Sequence, residues 1–391
     1  MSLIQAYGNA AEAMISYVDN HTTDLADDVM PVPVKNYTDP AIFEQELDLI
    51  FKRLPLLAAL TIEMPKPGDF KTITMAGKPV LLTRGKDGVA RAFLNVCAHR
   101  GNKLAMEKSG NCNRFSCTYH AWTYSNDGRL LGIAERAKFG EVDASTLNLT
   151  ALPCEEAAGL IFVVLTPGVE MDMTTFLGGM LADLEGQKFK DWYYVGSKEI
   201  QGANWKIAYD GYLEGYHFSA AHPKTIAPRS YTNIMHFDVF GPHMRVGYPT
   251  FSIGKLKDVP REEWGQHEND GYDFVRTLFP NVSIFVAPEL TQIAQLLPGP
   301  TVGENRTVLH YLAKIAPKNE EEEARLQSFS QFICDVVNEE DYMLGLKVQE
   351  GLASGALEHV VFGRNERGNQ VFHKWVDYYL GNDPAAPRPN P

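Results

Sequence analysis

Cys97-Ala98-His99 is followed, after 17 intervening residues, by Cys117-Thr118-Tyr119-His120. Two thiols and two imidazoles are thus delivered in pairs, one pair to each short loop. Thiolate and imidazole are the donors that soft and borderline metals prefer. The set suits a tetrahedral structural zinc. It equally suits a [2Fe–2S] cluster held by both cysteines on one iron and both histidines on the other. C-x-H spacing is tight for a zinc finger and favours the cluster. Neutral imidazoles in place of anionic thiolates raise such a cluster's potential from about −400 mV to between about −150 and +300 mV, which suits an electron relay. Cys112, Cys154 and Cys334 fall outside the spacing and are read as bystanders.

A second constellation lies in Asn204–Pro223, NWKIAYDGYLEGYHFSAAHP. Glu214 and His217 are three residues apart and share one face of a helix. His222 is five residues past His217, about 140° further round an ideal helix. Both imidazoles reach one point only if the helix opens or ends there. Pro223 supplies that ending, because the residue before a proline is pushed out of the helical region. One helix whose last turn opens onto a metal is therefore expected, with ordinary surface or core histidines as the bland reading.

A third candidate ligand sits far downstream. A long helix is expected over 319–354, with Gly355 as its stop. Ile333, Val337, Leu344 and Val348 form its apolar stripe, and Asp341 falls on that stripe. A carboxylate on a buried face needs a partner to offset its desolvation. A salt bridge and a metal are the two candidates. Glu340, about 100° round on the flank, is the fallback ligand.

The elements that must position these groups can be read around them. A helix and an irregular arm open the chain, and a further helix starts with Asp39 as N-cap and Pro40 at its first position. From Thr72 to Leu165 short β runs alternate with turns, with hairpins expected at Arg84–Gly88 and Ser125–Gly128. A helix is expected over 172–186, and strands over 282–286, 292–297 and 307–315. The chain has 391 residues, 45% apolar and 22% charged, enough for two domains. A net charge of −13 argues against a nucleic-acid partner. No secretory leader or membrane-length apolar run is evident, and five cysteines suit a reducing compartment, so a cytoplasmic protein is expected. Between Cys97 and Cys117, Arg100, Lys103, Lys108 and Arg114 face only Glu107, a basic spot on an acidic protein. It reads either as a docking surface or as an ordinary charged loop.

Taken together, the two motifs, in this order, resemble the large (α) subunits of Rieske non-haem iron oxygenases over essentially the whole chain. The resemblance rests on Cys97, His99, Cys117 and His120, then on Asn204-Trp205-Lys206, Glu214, Gly215-Tyr216-His217 and His222, then on Asp341 in Asn338-Glu339-Glu340-Asp341. It implies a Rieske [2Fe–2S] cluster and a mononuclear Fe(II) on His217, His222 and Asp341, with Asn204 near that iron. The implied fold is α+β. An antiparallel β Rieske domain (43–158) follows an N-terminal helix and arm (1–42) that packs on the catalytic domain. That larger domain (159–391) is of the helix-grip, START/Bet v1-like kind, a central antiparallel sheet flanked by helices. The family's carboxylate before the first histidine is usually aspartate and bridges the cluster histidine of one subunit to the iron histidine of its neighbour. Here it is Glu214, which resembles the branch acting on quaternary ammonium compounds such as carnitine; a solvated helix carboxylate is the alternative.

The implied function is a terminal oxygenase that hydroxylates or dihydroxylates an organic substrate with O2. An aromatic or hydrophobic acid is favoured, as in aromatic hydrocarbon catabolism, with a carnitine- or choline-type ammonium compound as the alternative. Electrons come from NAD(P)H through a separate reductase, directly or by way of a ferredoxin, since no nicotinamide or flavin fingerprint is present. A homotrimer (α3) is expected, with α3β3 as the other assembly. A pure Rieske electron carrier and a zinc-stabilised binding protein are the competing classes.

Overall fold

The computed structural model describes residues 2–381 and 388–389. Met1 and the stretches 382–387 and 390–391, which belong to the expected ranges 1–42 and 159–391, lie outside the described residues. The chain divides into two compact units.

The smaller unit is Phe51–Phe176 with Lys188–Asp191. It holds a five-stranded antiparallel sheet and two three-stranded ones. Both expected hairpins form. Gly88 closes the first, which joins Lys78–Arg84 to Ala90–Leu94. Gly128 closes the second, between Thr123–Ser125 and Leu130–Gly132, at φ +82°. A Cβ on Gly128 would collide with the Phe93 ring, so both conformation and space demand glycine there. Phe70, Leu81, Phe93, Phe115, Trp122 and Tyr124 fill the core, and Cys97 and Cys117 are buried among them. This unit starts and ends later than the expected 43–158. The apolar run at 160–165 forms the strand Leu160–Val163. That strand lies between Cys154–Ala157 and Leu56–Leu60 within the smaller unit. Its four residues are buried on both faces, as a central strand requires.

The larger unit comprises the remaining residues, built on a seven-stranded antiparallel sheet. In spatial order its strands are Tyr193–Gly202, Asn305–Ala313, Thr291–Pro298, Val282–Phe285, Tyr272–Leu278, His243–Pro249 and His236–Phe240. The opening helix Leu3–Asp19 is capped by Ser2, whose side chain accepts from the Gln5 N–H. It lays Tyr7, Ala10, Ala11 and Met14 against Ile253, Tyr272 and Phe274. A buried charge cluster fastens this layer. Asp183 receives Arg276 Nε at 2.6 Å and Arg245 Nη1 at 2.6 Å, and Arg276 also donates to Tyr7 Oη at 2.7 Å. Burial opposes the ionised form of Asp183, but the two guanidinium groups outweigh it and hold the carboxyl below its usual range. Its contribution to stability is therefore complete above an unfolded carboxyl's range, about 3.9, and is lost as pH falls through the lower folded value.

Asp39 caps the helix Pro40–Glu46 as the sequence predicts. The expected helix over 172–186 is broken into Met173–Leu177 and Met180–Gln187 by Gly178, which adopts φ +52°. The long helix of 319–354 is likewise three segments. An α-helix over Glu320–Val336 passes into a π-helical turn at Val337–Tyr342 and then into Met343–Ala353. Gln327 donates to the Val195 carbonyl at 2.7 Å and Tyr342 Oη to Thr307 at 2.7 Å, which seats this helix on the sheet. Among the described residues, no helix is long and apolar enough to cross a membrane.

Candidate metal centres

In the smaller unit two loops of matching geometry carry the cysteine and histidine pairs. Gly101 N–H donates to the Cys97 carbonyl at 3.0 Å, and Ala121 N–H to the Cys117 carbonyl at 2.8 Å. Gly101 and Ala121 both take left-handed backbone, φ +75° and +54°, which turns each loop back after its histidine. The His99 and His120 rings meet with centroids 4.5 Å apart, and His99 stacks on Trp122 at 4.8 Å. His99 Nδ1 is buried without a hydrogen-bond partner. An orphaned buried nitrogen is costly unless something occupies its lone pair.

The protonation of the donors suits a metal. Desolvation, then the nearness of His99 and Arg100, favours neutral His120. Burial works against the Cys117 thiolate, but hydrogen bonds from the Tyr119 and His120 backbone and from Asn102 outweigh it and hold the thiol below its ordinary range. Tyr124 Oη lies 3.4 Å from Cys97 Sγ and accepts from Ala98 N–H at 3.0 Å. Hydrogen bonding to cluster sulfurs is one of the levers on potential, and neither Tyr124 nor Asn102 was singled out by the sequence. Among the described residues, the set of His, Cys, Asp and Glu donors that converges within 4.8 Å is a different one. Two cysteines and two histidines on paired loops are the donor set of a Rieske [2Fe–2S] cluster. Burial raises the thiol pKa of Cys112, Cys154 and Cys334, Cys154 to about 12.

The converging set is His217, His222 and Asp341, in the larger unit. The sequence placed both histidines on one helix; the structure does not. Helix Trp205–Asp210 stops, and a separate single turn, Phe218–Ala221, has His217 at its start and His222 at its end. Gly215 lies in the interruption, where a Cβ would stand 2.9 Å from the Phe218 ring and 3.0 Å from that of Tyr248, so the close packing there favours glycine. Bracketing one turn brings the two rings to a centroid distance of 5.1 Å.

Asp341 comes from the π-helical turn. A π turn inserts an extra residue into the α ladder and shifts the phase of the residues downstream. Here it lets two consecutive carboxylates reach opposite edges of one imidazole. Glu340 Oε2 lies 2.6 Å from His222 Nδ1, and Asp341 Oδ1 lies 2.9 Å from His222 Nε2. Thr225 Oγ1 donates to Glu340 at 2.5 Å. The other histidine repeats the pattern: Glu214 contacts His217 Nδ1 and takes the Tyr216 and His217 N–H groups, while His217 Nε2 faces Asp341 Oδ1 at 3.6 Å. With a glutamate at each Nδ1, the tautomer that donates from Nδ1 leaves an Nε2 lone pair facing Asp341 on each ring. Lone pairs facing a carboxylate repel unless a cation or proton lies between them. Burial alone would lower the His222 pKa, but Asp341 and Glu340 raise it, the protonic counterpart of that demand. A carboxylate fixing the far nitrogen of each histidine is the outer support that metal-binding imidazoles use. Glu340 thus meets the nitrogen of His222 that faces away from Asp341.

These residues line a cavity of about 690 Å3. Its wall is largely apolar, including Phe218, Val275, Phe285, Phe329, Ile333 and Val337, with Tyr212 and Tyr248 among the polar groups. Leu344 and Val348, on the predicted stripe, also line it and are exposed. Asn204 is not at this wall. It is buried as the N-cap of helix Trp205–Asp210: Oδ1 accepts from Lys206 N–H at 2.9 Å, and Nδ2 donates to the Val302 carbonyl at 2.7 Å. Trp205 and Lys206 both bind buried Glu46, so the Asn-Trp-Lys run anchors the helix. Removing one partner of such a buried pair costs about 3–5 kcal/mol. Asp210 meets His373 at 3.0 Å and Tyr37 at 3.0 Å. Phe285 lines the cavity, whereas Ile284, Ile293, Leu297, Tyr209 and His310 are buried elsewhere in the core.

Two family models match the chain: the Rieske [2Fe-2S] domain over residues 55–148, and the ring hydroxylating alpha subunit catalytic domain over 189–382. The glycine betaine monooxygenase oxygenase subunit of Chromohalobacter salexigens is 33% identical over 198 residues, 50% of this chain. The chain spans only 44% of that relative's length. The carnitine monooxygenase oxygenase subunit of Escherichia coli K12 is 28% identical over 83% of this chain and 84% of its own length. A solved quaternary ammonium Rieske monooxygenase with L-carnitine bound superposes with a TM-score of 0.77 at 24% identity, over 91% of this chain and 96% of that one, a likeness of fold. The chain belongs to the Rieske oxygenase large (α) subunits.

Proposed function

We propose that this chain is the terminal oxygenase of a multicomponent system, which inserts oxygen from O2 into an organic substrate held in the 690 Å3 cavity. The observation that carries the reading is the pair of Nε2 atoms and the carboxylate that converge at the wall of a substrate-sized cavity in a chain that also bears a Rieske domain. The donor sets fit both groups: Cys97, His99, Cys117 and His120 would hold the [2Fe–2S] cluster, and His217, His222 and Asp341 the mononuclear Fe(II). Loaded, they supply single electrons and O2 activation respectively. Glu214 and Glu340 fix the tautomer of the two histidines, and the apolar wall excludes water from the reacting carbon. Glu214 is also the group suited to link His217 to a cluster histidine of a neighbouring copy, within a cytoplasmic homotrimer.

For substrate, the ammonium reading moves ahead of the aromatic one that the sequence placed first. The named relatives act on carnitine and glycine betaine. Tyr212, Phe218 and Tyr248 line the cavity and offer faces that attract a cation. The apolar wall keeps aromatic acids as the second reading.

A separate NAD(P)H-driven reductase, directly or through a ferredoxin, would supply the electrons. Arg100, Lys103, Lys108 and Arg114 are all exposed, next to exposed Met106, and form a basic site for an acidic partner. The test is O2-dependent product formation from quaternary amines and aromatic acids, run with the native reductase and with chemically reduced protein. Product from either class supports the oxygenase, and O2-independent turnover contradicts it. Lys103→Glu with Lys108→Glu is expected to slow the reductase-driven rate about tenfold or more at low salt and to leave the chemically reduced turnover intact. An unchanged reductase-driven rate rules out docking at this patch.

A further inference from the structure

The cavity wall contains one feature that the metal site does not use. Arg229 is the only lysine or arginine among the described residues lining it. Its guanidinium is ion-paired with Asp273, and the two side chains differ sharply in exposure, 54% for Arg229 and 5% for Asp273. Asp273 stands on the strand Tyr272–Leu278 and is fixed from its other side by Asn269 Nδ2 at 3.2 Å. Asn269 in turn donates to the Val286 carbonyl at 2.9 Å. The Arg229 backbone is held as well, its carbonyl accepting from Phe251 N–H at 2.9 Å. A buried carboxylate thus holds this guanidinium at the cavity wall, and among the described residues Asp273 is its one hydrogen-bond partner.

The other charged groups at the wall are already engaged. Glu214 serves His217, Glu340 serves His222 and Thr225, and Glu289 pairs with Arg325. A neutral apolar ligand filling this space would strip water from the remaining donors of Arg229 and replace it with nothing. A carboxylate would satisfy them, and the planar guanidinium matches its two oxygens.

We propose that Arg229, steadied by Asp273, receives the carboxylate of an organic-acid substrate in this cavity, which makes it the residue that selects acids, betaines included, over neutral analogues. The proposal rests on the reading of the cavity as the substrate site, but it is tested by binding and does not need turnover. The holoprotein, both metal centres loaded and kept anaerobic, is titrated calorimetrically with carboxylates and their primary amides: γ-butyrobetaine, 4-phenylbutyrate and benzoate, each against its own amide. At least one acid is expected to bind about tenfold or more tightly than its amide. Arg229→Gln should bring that ratio to about one, and Arg229→Lys, which keeps the charge but lacks the fork, should leave an intermediate ratio.

Arg229→Gln strands Asp273 as a buried carboxylate. The double variant Arg229→Gln with Asp273→Asn removes both charges and is expected to fold and to lack the acid preference. Amides binding as tightly as acids to the wild type, an acid preference that survives Arg229→Gln or the double variant, or no binding by any acid overturns the proposal. If the acid preference holds and depends on Arg229 while no O2-dependent product forms, the oxygenase reading fails and the anchor stands. If neutral analogues are oxygenated as well as acids, the anchor fails and the oxygenase stands.

Discussion

Replacing Asp341 by alanine is expected to lower the iron content from about three to about two per chain, leave the cluster's EPR signal unchanged and reduce oxygenation below detection. Asp341 Oδ1 is the one anionic donor that faces both His217 Nε2 and His222 Nε2. Without it two neutral nitrogens remain, too few to hold a divalent ion against water. The cluster donors lie in the other compact unit and share no residue with this set. Retention of all the iron would move the ligand elsewhere, with Glu340 the nearest carboxylate. Loss of both signals would mean that the substitution unfolds the chain. Glu340→Gln separates the roles: it removes a charge from behind His222 Nδ1 but no donor from the ion, so metal affinity should fall about 10- to 100-fold rather than vanish.

Glu214→Gln is expected to lower reductase-driven oxygenation about a hundredfold while both metal centres stay loaded. Glu214 contacts His217 Nδ1 and receives two backbone N–H groups. Glutamine keeps the shape but gives up the charge that steadies the ring and the second acceptor oxygen needed to reach a neighbouring copy. Reduction of the cluster by the partner should be unaffected, and oxidation of the reduced cluster in the presence of substrate should slow. Glu214→Asp, the residue usual in the family, should recover part of the rate. Unchanged cluster oxidation in Glu214→Gln would leave Glu214 an ordinary helix carboxylate.

Some of this was legible in the chain and some was not, for physical reasons. The cysteine and histidine pairs are local: each is delivered by four residues or fewer, so spacing alone shows which donors travel together. Asp341 was legible because a carboxylate on an apolar helical stripe stands out. The π-helical turn was not, since a one-residue shift of phase leaves no mark in composition, and without it Glu340 reads as a flank residue rather than the support of His222. Within the break between Asp210 and Phe218, Gly215 packs against Tyr248, a contact across 33 positions that helical periodicity cannot supply. Asn204 posed the same difficulty. An asparagine before a helix is both a natural cap and a plausible pocket residue, and only the position of Val302 and Lys206 decides. Glu46 with Lys206 and Arg229 with Asp273 are likewise pairings of distant residues.

The most direct measurement is the metal content of the purified wild-type chain together with the EPR spectrum of its reduced form. About three irons per chain are expected, two in a cluster giving a Rieske-type signal on reduction and one mononuclear iron that Asp341→Ala removes. Two irons with the same signal would make the chain an electron carrier, and a colourless, EPR-silent zinc protein would contradict the account altogether.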